Sequence, residues 1–433
     1  MANQKQNINL KVLSPVCIGN DQTETLSPYA DFVISEDGDE VIYIDHAEFA
    51  FLLNERGKVQ DFSHQIVENI DNNRSRFRLR EYITDTLEAD LDEVSRKRLP
   101  NFGIKHGERH QVKATLKSGG KPYISGSTLK GAIRTALLHH WLEEEPAGQH
   151  LLKQAYKTIL LPSNQAKVKQ LGELRFRKKS SRLNGYEFKR MKDLERELER
   201  LVKSLLDESQ LFGDLRSKEV APFSQLIQVS DSQSFSTSDM AVYQAQRVRL
   251  APLGGRRDQR RKGGDIPQPR EAIQSGSQSN FSVTLRPGIE KFGIKNLGQN
   301  HPRQLLEIIR TWSKACIGLE LDHLDQAYDM PSKPAKAALS EFYGKMYDQA
   351  KSGKIFLRLG QGKTYYENSL GVALLNYADK LQQQEGEDQL IPEQFRKFRK
   401  MALDVSLRSD LFPITRSITT IGHQPMGWVE LSV

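Results

Sequence analysis

The feature that most constrains the fold is the stretch Pro122–Leu138, which reads PYISGSTLKGAIRTALL. It predicts a short strand, a tight turn and a helix. Gly126 permits the turn, because glycine adopts backbone angles that other residues avoid. Ser125 or Ser127 can cap the helix by accepting a hydrogen bond from a first-turn N–H. Apolar residues recur at helical spacing and define a buried face: Leu129, Ile133, Ala136 and Leu137.

Two cations lie near the start of this helix. Lys130 and Arg134 are four residues apart, so they share one helix face. Free N–H groups and the positive end of the helix dipole converge on the same place, which predicts a site for anionic oxygen, most simply a phosphate. An ordinary capped helix with solvated cations is the alternative. A nucleotide-binding P-loop is excluded, because Gly131 is followed by Ala132 rather than by Lys and then Ser or Thr.

Four stretches in order along the chain carry a family resemblance. They are LSPVCIG at 13–19, ISGSTLKGAIR at 124–134, LFGD at 211–214 with VSDS at 229–232, and LRLGQG at 357–362. Together they resemble the opening turn, the S-x-[LI]-K-G-x-[LIF]-R signature, the central segment and the C-terminal glycine-rich loop of the RAMP superfamily of CRISPR-associated RNA-binding proteins. The N-terminal run to Asp45 and the overall length most resemble a subunit of the type III-A effector complexes.

The resemblance implies an α+β fold of tandem ferredoxin-like (RRM-like) domains with helical insertions, at 1–210 and 211–433. The pattern of elements suits this fold: strand 8–16, a helix after Asp45, a hairpin around Ser118–Lys121, and the Pro122 strand and helix. Residues 60–100 are polar and are expected to form a helical insertion. Further strands are predicted at 226–230, 241–250, 281–285, 355–359 and 428–433, and further helices at 305–316, 335–350 and 372–382.

Residues 163–210 are dense in charge and contain a predicted amphipathic helix. Its apolar stripe is expected to pack inside the chain and consists of Met191, Leu194, Leu198, Leu201, Val202 and Leu205. The preceding segment Arg175–Arg182, RFRKKSSR, combines cations with an aromatic residue. RNA binding and a solvated run of charge are both open for this segment.

The resemblance implies a non-catalytic CRISPR RNA-binding subunit that caps the effector filament at the 3′ end of the guide and supports guide maturation, assembly and antiviral defence. The implied partners are the 3′ region of CRISPR RNA, target RNA, the backbone and small helical subunits, and host nucleases. A net charge of +8 and a pI near 9.2 independently favour a polyanionic partner. The alternatives are a metal-independent endoribonuclease of CRISPR precursor RNA, which would need a histidine such as His46, and an RNA-binding scaffold outside CRISPR systems.

The predicted RNA-binding residues form three groups. Lys130 and Arg134 are expected to hold phosphates at the capped turn, and glycines near Lys363 should let the RNA backbone approach main-chain donors. The segment Gly254–Gly264 is highly basic and is expected to be a mobile loop. The full set is Ser125, Gly126, Ser127, Lys130, Arg134, Arg256, Arg257, Arg358, Gly360, Gly362 and Lys363.

No catalytic residue, metal site or cofactor is predicted. The family's opening motif often carries His before Ile-Gly, where this chain has Cys17. His106 and His110 lack the spacing of a zinc helix, and Asp231 is as well suited to cap a turn as to catalyse. Two isolated cysteines indicate a reducing cytoplasm, and no signal peptide or membrane span is expected.

Overall fold

The computed structural model describes residues 4–19, 23–71, 77–107, 109–159, 161–180, 183–205, 226–252, 267–287, 289, 294, 297, 301–373, 376, 377, 380 and 413–433. The α-helices within these ranges are α1 His46–Glu55, α2 Val59–Asp71, α3 Leu79–Glu81, α4 Gly126–Glu144, α5 Pro146–Ile159, α6 Pro162–Ser180, α7 Gly185–Leu205, α8 His301–Gln326 and α9 Lys333–Lys351. None of the described helices is both long enough and apolar enough to cross a membrane.

The strands form two main sheets and one small hairpin. They are β1 Gln4–Val12, β2 Thr25–Leu26, β3 Phe32–Ile34, β4 Glu40–Ile44, β5 Ser95–Phe102, β6 Val112–Lys113, β7 Lys117–Ser118, β8 Lys121–Pro122, β9 Ile227–Val229, β10 Met240–Arg249, β11 Gln268–Ile273, β12 Gln278–Leu285, β13 Ile355–Arg358, β14 Thr415–Thr419 and β15 Trp428–Ser432. The first sheet has the order β13-β15-β1-β12-β9. The second has the order β2-β6-β11-β10-β5-β4-β3, with β14 also paired to β10.

The largest hydrophobic core lies between the first sheet and helices α4 and α8. Ile8 and Leu10 of β1 face the same cluster as Leu137 of α4 and Trp312 of α8, and all four are buried. Burying a large apolar side chain contributes about 1.5–3 kcal/mol. This packing fixes the start of α4 relative to the first sheet. A second cluster joins α9 to β14 and β15 through Tyr343, Ile418 and Trp428.

The hairpin around Ser118–Lys121 is confirmed. Strands β7 and β8 pair in antiparallel register, with Ser118 opposite Lys121. Gly119 and Gly120 between them have φ values of 56° and 78°. Two successive positive φ angles define the tight turn that matches the twist of a hairpin, and they favour glycine at both positions.

The predicted division at residue 210 does not separate the two sheets. Strand β1 pairs with β12 and β15, and β5 pairs in parallel with β10. Each sheet therefore combines strands from both sides of residue 210, although residue 210 itself lies outside the described part of the chain. The predicted α+β class is confirmed by this mixture of sheets and helices.

Two central strands of the second sheet differ from the prediction. Residues 95–102, expected within a helical insertion, form β5, and residues 268–273 form β11, which no pattern predicted. Both strands carry charged residues where a buried strand normally carries apolar ones. Two of those charges satisfy each other across the sheet, since Lys97 donates a 3.0 Å hydrogen bond to Glu271. Such a strand lacks the apolar alternation that identifies one in a sequence.

The amphipathic stripe on α7 packs inside the chain, as predicted. Met191, Leu194 and Leu198 are buried in the same cluster as Leu171 of α6. Leu201 is partly buried against this cluster. Helices α6 and α7 therefore form an antiparallel hairpin whose inner face belongs to the main core.

Candidate nucleic-acid interface

Helix α4 begins at Gly126 and is capped by Ser125, one of the two predicted capping residues. The Ser125 side chain accepts a 3.4 Å hydrogen bond from the Thr128 N–H, and its hydroxyl lies 3.1 Å from that of Ser127. The Gly126 N–H donates a 2.6 Å hydrogen bond to Oδ1 of Asp231. The expectation of free N–H groups is therefore wrong at this position, because the carboxylate of Asp231 already takes the place of an anion at the helix start.

Gly126 is needed for close packing rather than for its backbone angles. Its φ lies outside the left-handed region, which corrects the reason predicted for it. A Cβ at Gly126 would lie 2.9 Å from the carbonyl carbon of Ser230 and closer still to the carbonyl oxygen of Val229. A Cβ at Gly131, further along α4, would meet no atom within 4 Å. Packing against the rest of the chain therefore requires glycine at position 126 but not at position 131.

The central VSDS motif lies directly against the segment between β8 and α4. The Ile124 N–H donates a 3.0 Å hydrogen bond to the Ser232 hydroxyl, and the Ser232 N–H donates a 2.9 Å hydrogen bond to the Ile124 carbonyl. Asp231 thus acts as a capping residue, one of the two roles open to it in the sequence. LFGD at 211–214 lies outside the described residues.

The opening turn and the C-terminal glycine-rich loop also contact each other. The Gln361 N–H donates a 3.1 Å hydrogen bond to the Cys17 carbonyl. Gly360 has a φ of 63°, and a Cβ there would lie 3.1 Å from the carbonyl carbon of Cys17. A Cβ at Gly362 would lie 2.7 Å from the carbonyl carbon of Met426. These glycines let other segments of the protein backbone pack close to the loop. The sequence predicted instead that they let the RNA backbone approach.

A chain of hydrogen bonds connects the two pairs of motifs. The Ile18 N–H donates to the Thr115 hydroxyl at 3.1 Å, and the Leu116 N–H donates to the Ile18 carbonyl at 2.7 Å. The Tyr123 N–H in turn donates to the Leu116 carbonyl at 3.3 Å. The path therefore runs from the glycine-rich loop through the opening turn and β7–β8 to the start of α4. We call this hydrogen-bonded series of segments the motif ridge.

Lys130 and Arg134 lie on the helix that ends the motif ridge. Lys130 is half-buried and Arg134 is exposed. Burial, and then the neighbouring Arg134 guanidinium, lower the pKa of Lys130, and burial lowers the pKa of Arg134. No carboxylate pairs with Lys130 in the part of the chain that the structure describes. A bound anion would offset both effects.

Arg358 does not lie on the protein surface, which corrects the RNA contact predicted for it. Its side chain is fully buried and its Nη1 lies 2.7 Å from Oε1 of Glu367 and 3.9 Å from Oε1 of Glu320. Its Nε donates a 3.1 Å hydrogen bond to the Met426 carbonyl. Burial would lower the pKa of Arg358, but Glu367, Tyr343 and Glu320 outweigh it and raise the pKa above its ordinary value. The guanidinium therefore neutralises buried carboxylates.

Lys363 is half-buried beside this ion-pair network. Burial lowers its pKa, while the nearby Glu367 acts in the opposite direction. The Lys363 ammonium group therefore already interacts with a carboxylate of the protein, in contrast to that of Lys130. Arg256 and Arg257, with the rest of the basic segment 254–264, lie outside the described residues, although the flanking strands β10 and β11 are paired with each other.

The sequence did not predict a buried carboxylate that contacts the motif ridge. Glu271 accepts hydrogen bonds from the Tyr43 hydroxyl at 2.8 Å and the Thr115 N–H at 3.1 Å, and it pairs with Lys97 and Lys117. Burial would raise the pKa of Glu271, but the two ammonium groups and these hydrogen bonds lower it further than burial raises it. No sequence signal marks this cluster, because its members come from β4, β5, β7, β11 and the loop between β6 and β7.

Cys17 occupies the position where the family often has histidine. The thiol is buried, and burial raises the pKa of Cys17 to about 12. A thiol with this pKa stays protonated near neutral pH, so it provides neither a nucleophile nor a base. Among the described residues, no group of three or more His, Cys, Asp or Glu side chains is arranged to hold a metal ion.

The RAMP superfamily profile matches residues 9–367, which is most of the chain. The protein therefore belongs to the RAMP superfamily, and the resemblance predicted from its motifs is confirmed. No curated protein sequence matches it significantly.

Two solved structures share its fold over nearly the whole length. One is a chain of the cryo-EM structure of a Csm–crRNA–target RNA ternary complex of a type III-A CRISPR-Cas system, with a TM-score of 0.63 and 21% identity over 98% of this chain and 99% of that chain. The other is the crystal structure of T. onnurineus Csm5, with a TM-score of 0.60 and 20% identity over 97% of this chain and 99% of that chain. At these identities the likeness establishes the fold.

Proposed function

We propose that this protein is a non-catalytic RNA-binding subunit of a type III CRISPR effector complex. In this role it binds the 3′ region of the CRISPR RNA, caps the filament there, and contacts target RNA and the backbone and small helical subunits. Guide maturation, assembly and antiviral defence depend on that position, and host nucleases are candidate partners. The fold shared with Csm5 and with a chain of a Csm–crRNA–target RNA complex supports the proposal.

The observation that carries the proposal is the pair of cations at the end of the motif ridge. Lys130 has no carboxylate partner among the described residues, and its pKa is lowered by burial and by Arg134. Phosphate contacts of this kind are independent of sequence, which suits a guide of any sequence. We include Ser125, Gly126, Ser127, Gly360, Gly362 and Lys363 in the interface as backbone or flanking contacts, and Arg256 and Arg257 as basic residues that extend it.

Single substitutions test the phosphate site. Lys130→Ala and Arg134→Ala should each weaken RNA binding by about 1–3 kcal/mol, the scale of a lost charged hydrogen bond. The loss should be the same for unrelated RNA sequences, and the free energy of unfolding should change little. Lys345→Ala is a matched control, because Lys345 is an exposed helical cation on α9. Wild-type affinity in both variants over a range of salt would refute the site, and assembly should be measured beside affinity.

The alternative function, a metal-independent endoribonuclease, has one observation in its favour. Nε2 of His46 lies 2.8 Å from Oδ1 of Asp31, and the His46 side chain is 66% exposed. A carboxylate in this position orients a histidine as a general base. The buried Cys17 thiol on the motif ridge argues against this chemistry there. Incubation of the purified protein with repeat RNA separates the two functions.

A further inference from the structure

The tip of the α6–α7 hairpin carries three exposed aromatic side chains on its outer surface. Phe176 is 70% exposed near the end of α6, and Tyr186 and Phe188 are 79% and 45% exposed in the first turn of α7. We call these three residues the aromatic tip. They lie off the stripe of Met191, Leu194 and Leu198 that faces the core. Because large aromatic side chains gain most from burial, three together on one exposed end mark a binding surface.

The hairpin holds the aromatic tip in a fixed geometry. The Glu187 N–H donates a 2.8 Å hydrogen bond to Oδ1 of Asn184, and the Asn184 N–H donates a 3.1 Å hydrogen bond to Oε2 of Glu187. This reciprocal cap fixes the start of α7. Arg177 on α6 pairs with the same Glu187, so the two helices are tied together beside the aromatic rings. A rigid platform loses little conformational entropy when a ligand stacks on it.

The charge around the aromatic tip identifies the class of ligand. Residues 175–192 contain eight Lys and Arg residues and one acid, Glu187. Four of these cations pair with Glu187 or with acids that follow on α7: Arg175, Arg177, Arg190 and Lys192. Lys178 and Lys189 are exposed, and Nζ of Lys178 lies 5.4 Å from the centre of the Phe188 ring. Aromatic faces interleaved with cations suit single-stranded nucleic acid, since bases stack on the rings while ammonium groups neutralise the adjacent phosphates.

We infer that the aromatic tip binds single-stranded RNA by stacking its bases on Phe176, Tyr186 and Phe188, as a contact separate from the motif ridge. This inference rests on the proposed function for the identity of the polymer. It adds a contact that depends on bases, whereas Lys130 and Arg134 read only phosphates. The sequence alone left the segment Arg175–Arg182 open between RNA binding and solvated charge, and the added aromatic residues of α7 favour RNA binding.

The test separates stacking from charge. The full-length variant with Phe176→Ala, Tyr186→Ala and Phe188→Ala should bind a short oligouridylate at least about fivefold more weakly than wild type. It should bind an abasic ribose-phosphate oligomer of the same length with unchanged affinity. Tyr328→Ala is the matched control, because Tyr328 is 77% exposed and has Nζ of Lys336 at 5.8 Å from its ring, and it should change neither affinity.

Two further variants guard against a folding defect. Tyr186→Ala alone, at the most exposed position of the three, should reproduce part of the loss of oligouridylate affinity. Tyr186→Trp should bind oligouridylate as tightly as wild type. Equal oligouridylate affinity in wild type and the triple variant, or an equal loss for the abasic oligomer, would overturn the inference. Loss of a subunit contact with unchanged RNA affinity would also overturn it. If wild type bound neither oligomer, the proposed function itself would fail.

Discussion

The backbone N–H of Gly126 donates a 2.6 Å hydrogen bond to the carboxylate of Asp231, 105 residues further along the chain. This contact joins the signature motif to the central motif at the start of α4. It also brings the backbone of Val229 and Ser230 so close that a side chain at position 126 has no room. The same helix start that resembles an anion site is thus closed by the protein's own anion, and the two cations lie further along the helix, Lys130 about one turn and Arg134 about two turns beyond Gly126.

Two glycines of α4 should respond in opposite directions to alanine. Gly126→Ala places a Cβ against the backbone of residues 229–230 and should destabilise the protein by about 1–3 kcal/mol. Gly131→Ala meets nothing within 4 Å and should stabilise it by up to about 1 kcal/mol through helix propensity. Urea unfolding of both variants beside wild type measures these changes. Equal effects of the two substitutions would contradict the packing reason given for Gly126.

Arg358→Ala should act on stability rather than on RNA binding. The substitution leaves Glu367 buried without its cation, whereas Glu320 keeps its ion pair with Arg416. Loss of one partner from a buried ion pair typically costs about 3–5 kcal/mol. The control is Arg358→Met combined with Glu367→Met, which removes both charges and should recover part of the loss. Thermal unfolding and RNA affinity per folded molecule give the two readouts. Weaker RNA binding at unchanged stability would instead support the RNA contact that the sequence predicted for Arg358.

The motifs of the candidate site could be identified from the sequence, but the contacts that their residues make could not. Serine, glycine and cation spacing identified the stretch at 124–134, and the family resemblance located the other three. The role of Arg358 could not be read in this way, because an Arg beside a glycine-rich loop looks the same whether it faces solvent or a buried Glu367. Strand β13 is buried on both faces, with Phe356 in one core cluster and Leu357 in another. That environment arises only from tertiary packing.

The elements of the fold were predictable where apolar periodicity is strong and were missed where charge is buried. Helix α4 follows the capping residue Ser125, as predicted, and β10 follows its predicted span closely. Strands β5 and β11 were missed because Lys97 and Glu271, 174 residues apart, satisfy each other inside the second sheet. A single sequence does not reveal such a pairing, so these charges looked like surface residues.

The buried Glu271 should make stability depend on pH in the acid range. Its folded-state pKa is lowered, so its contribution is present above the unfolded-state pKa of about 4.3 and is lost as pH falls through the lower folded value. The stability difference between wild type and Glu271→Gln should therefore be large at about pH 7 and should shrink progressively below about pH 4. Glu341→Gln is the control, because its carboxyl also has a lowered pKa but is fully exposed. Urea unfolding across this range measures both, and a difference that is constant with pH would refute the role of Glu271.

The purified protein should leave repeat RNA and unrelated single-stranded RNA intact, with or without Mg²⁺ or Mn²⁺. The reason is that the opening turn carries Cys17 in place of histidine and that burial keeps this thiol protonated, so position 17 offers no general base at neutral pH. His46 is the residue to exclude, because Asp31 orients it in the way a catalytic histidine requires. A His46→Ala preparation made in parallel identifies contaminating nuclease, which would cleave in both samples. Cleavage by wild type that disappears in His46→Ala would instead establish the endoribonuclease and displace the non-catalytic role.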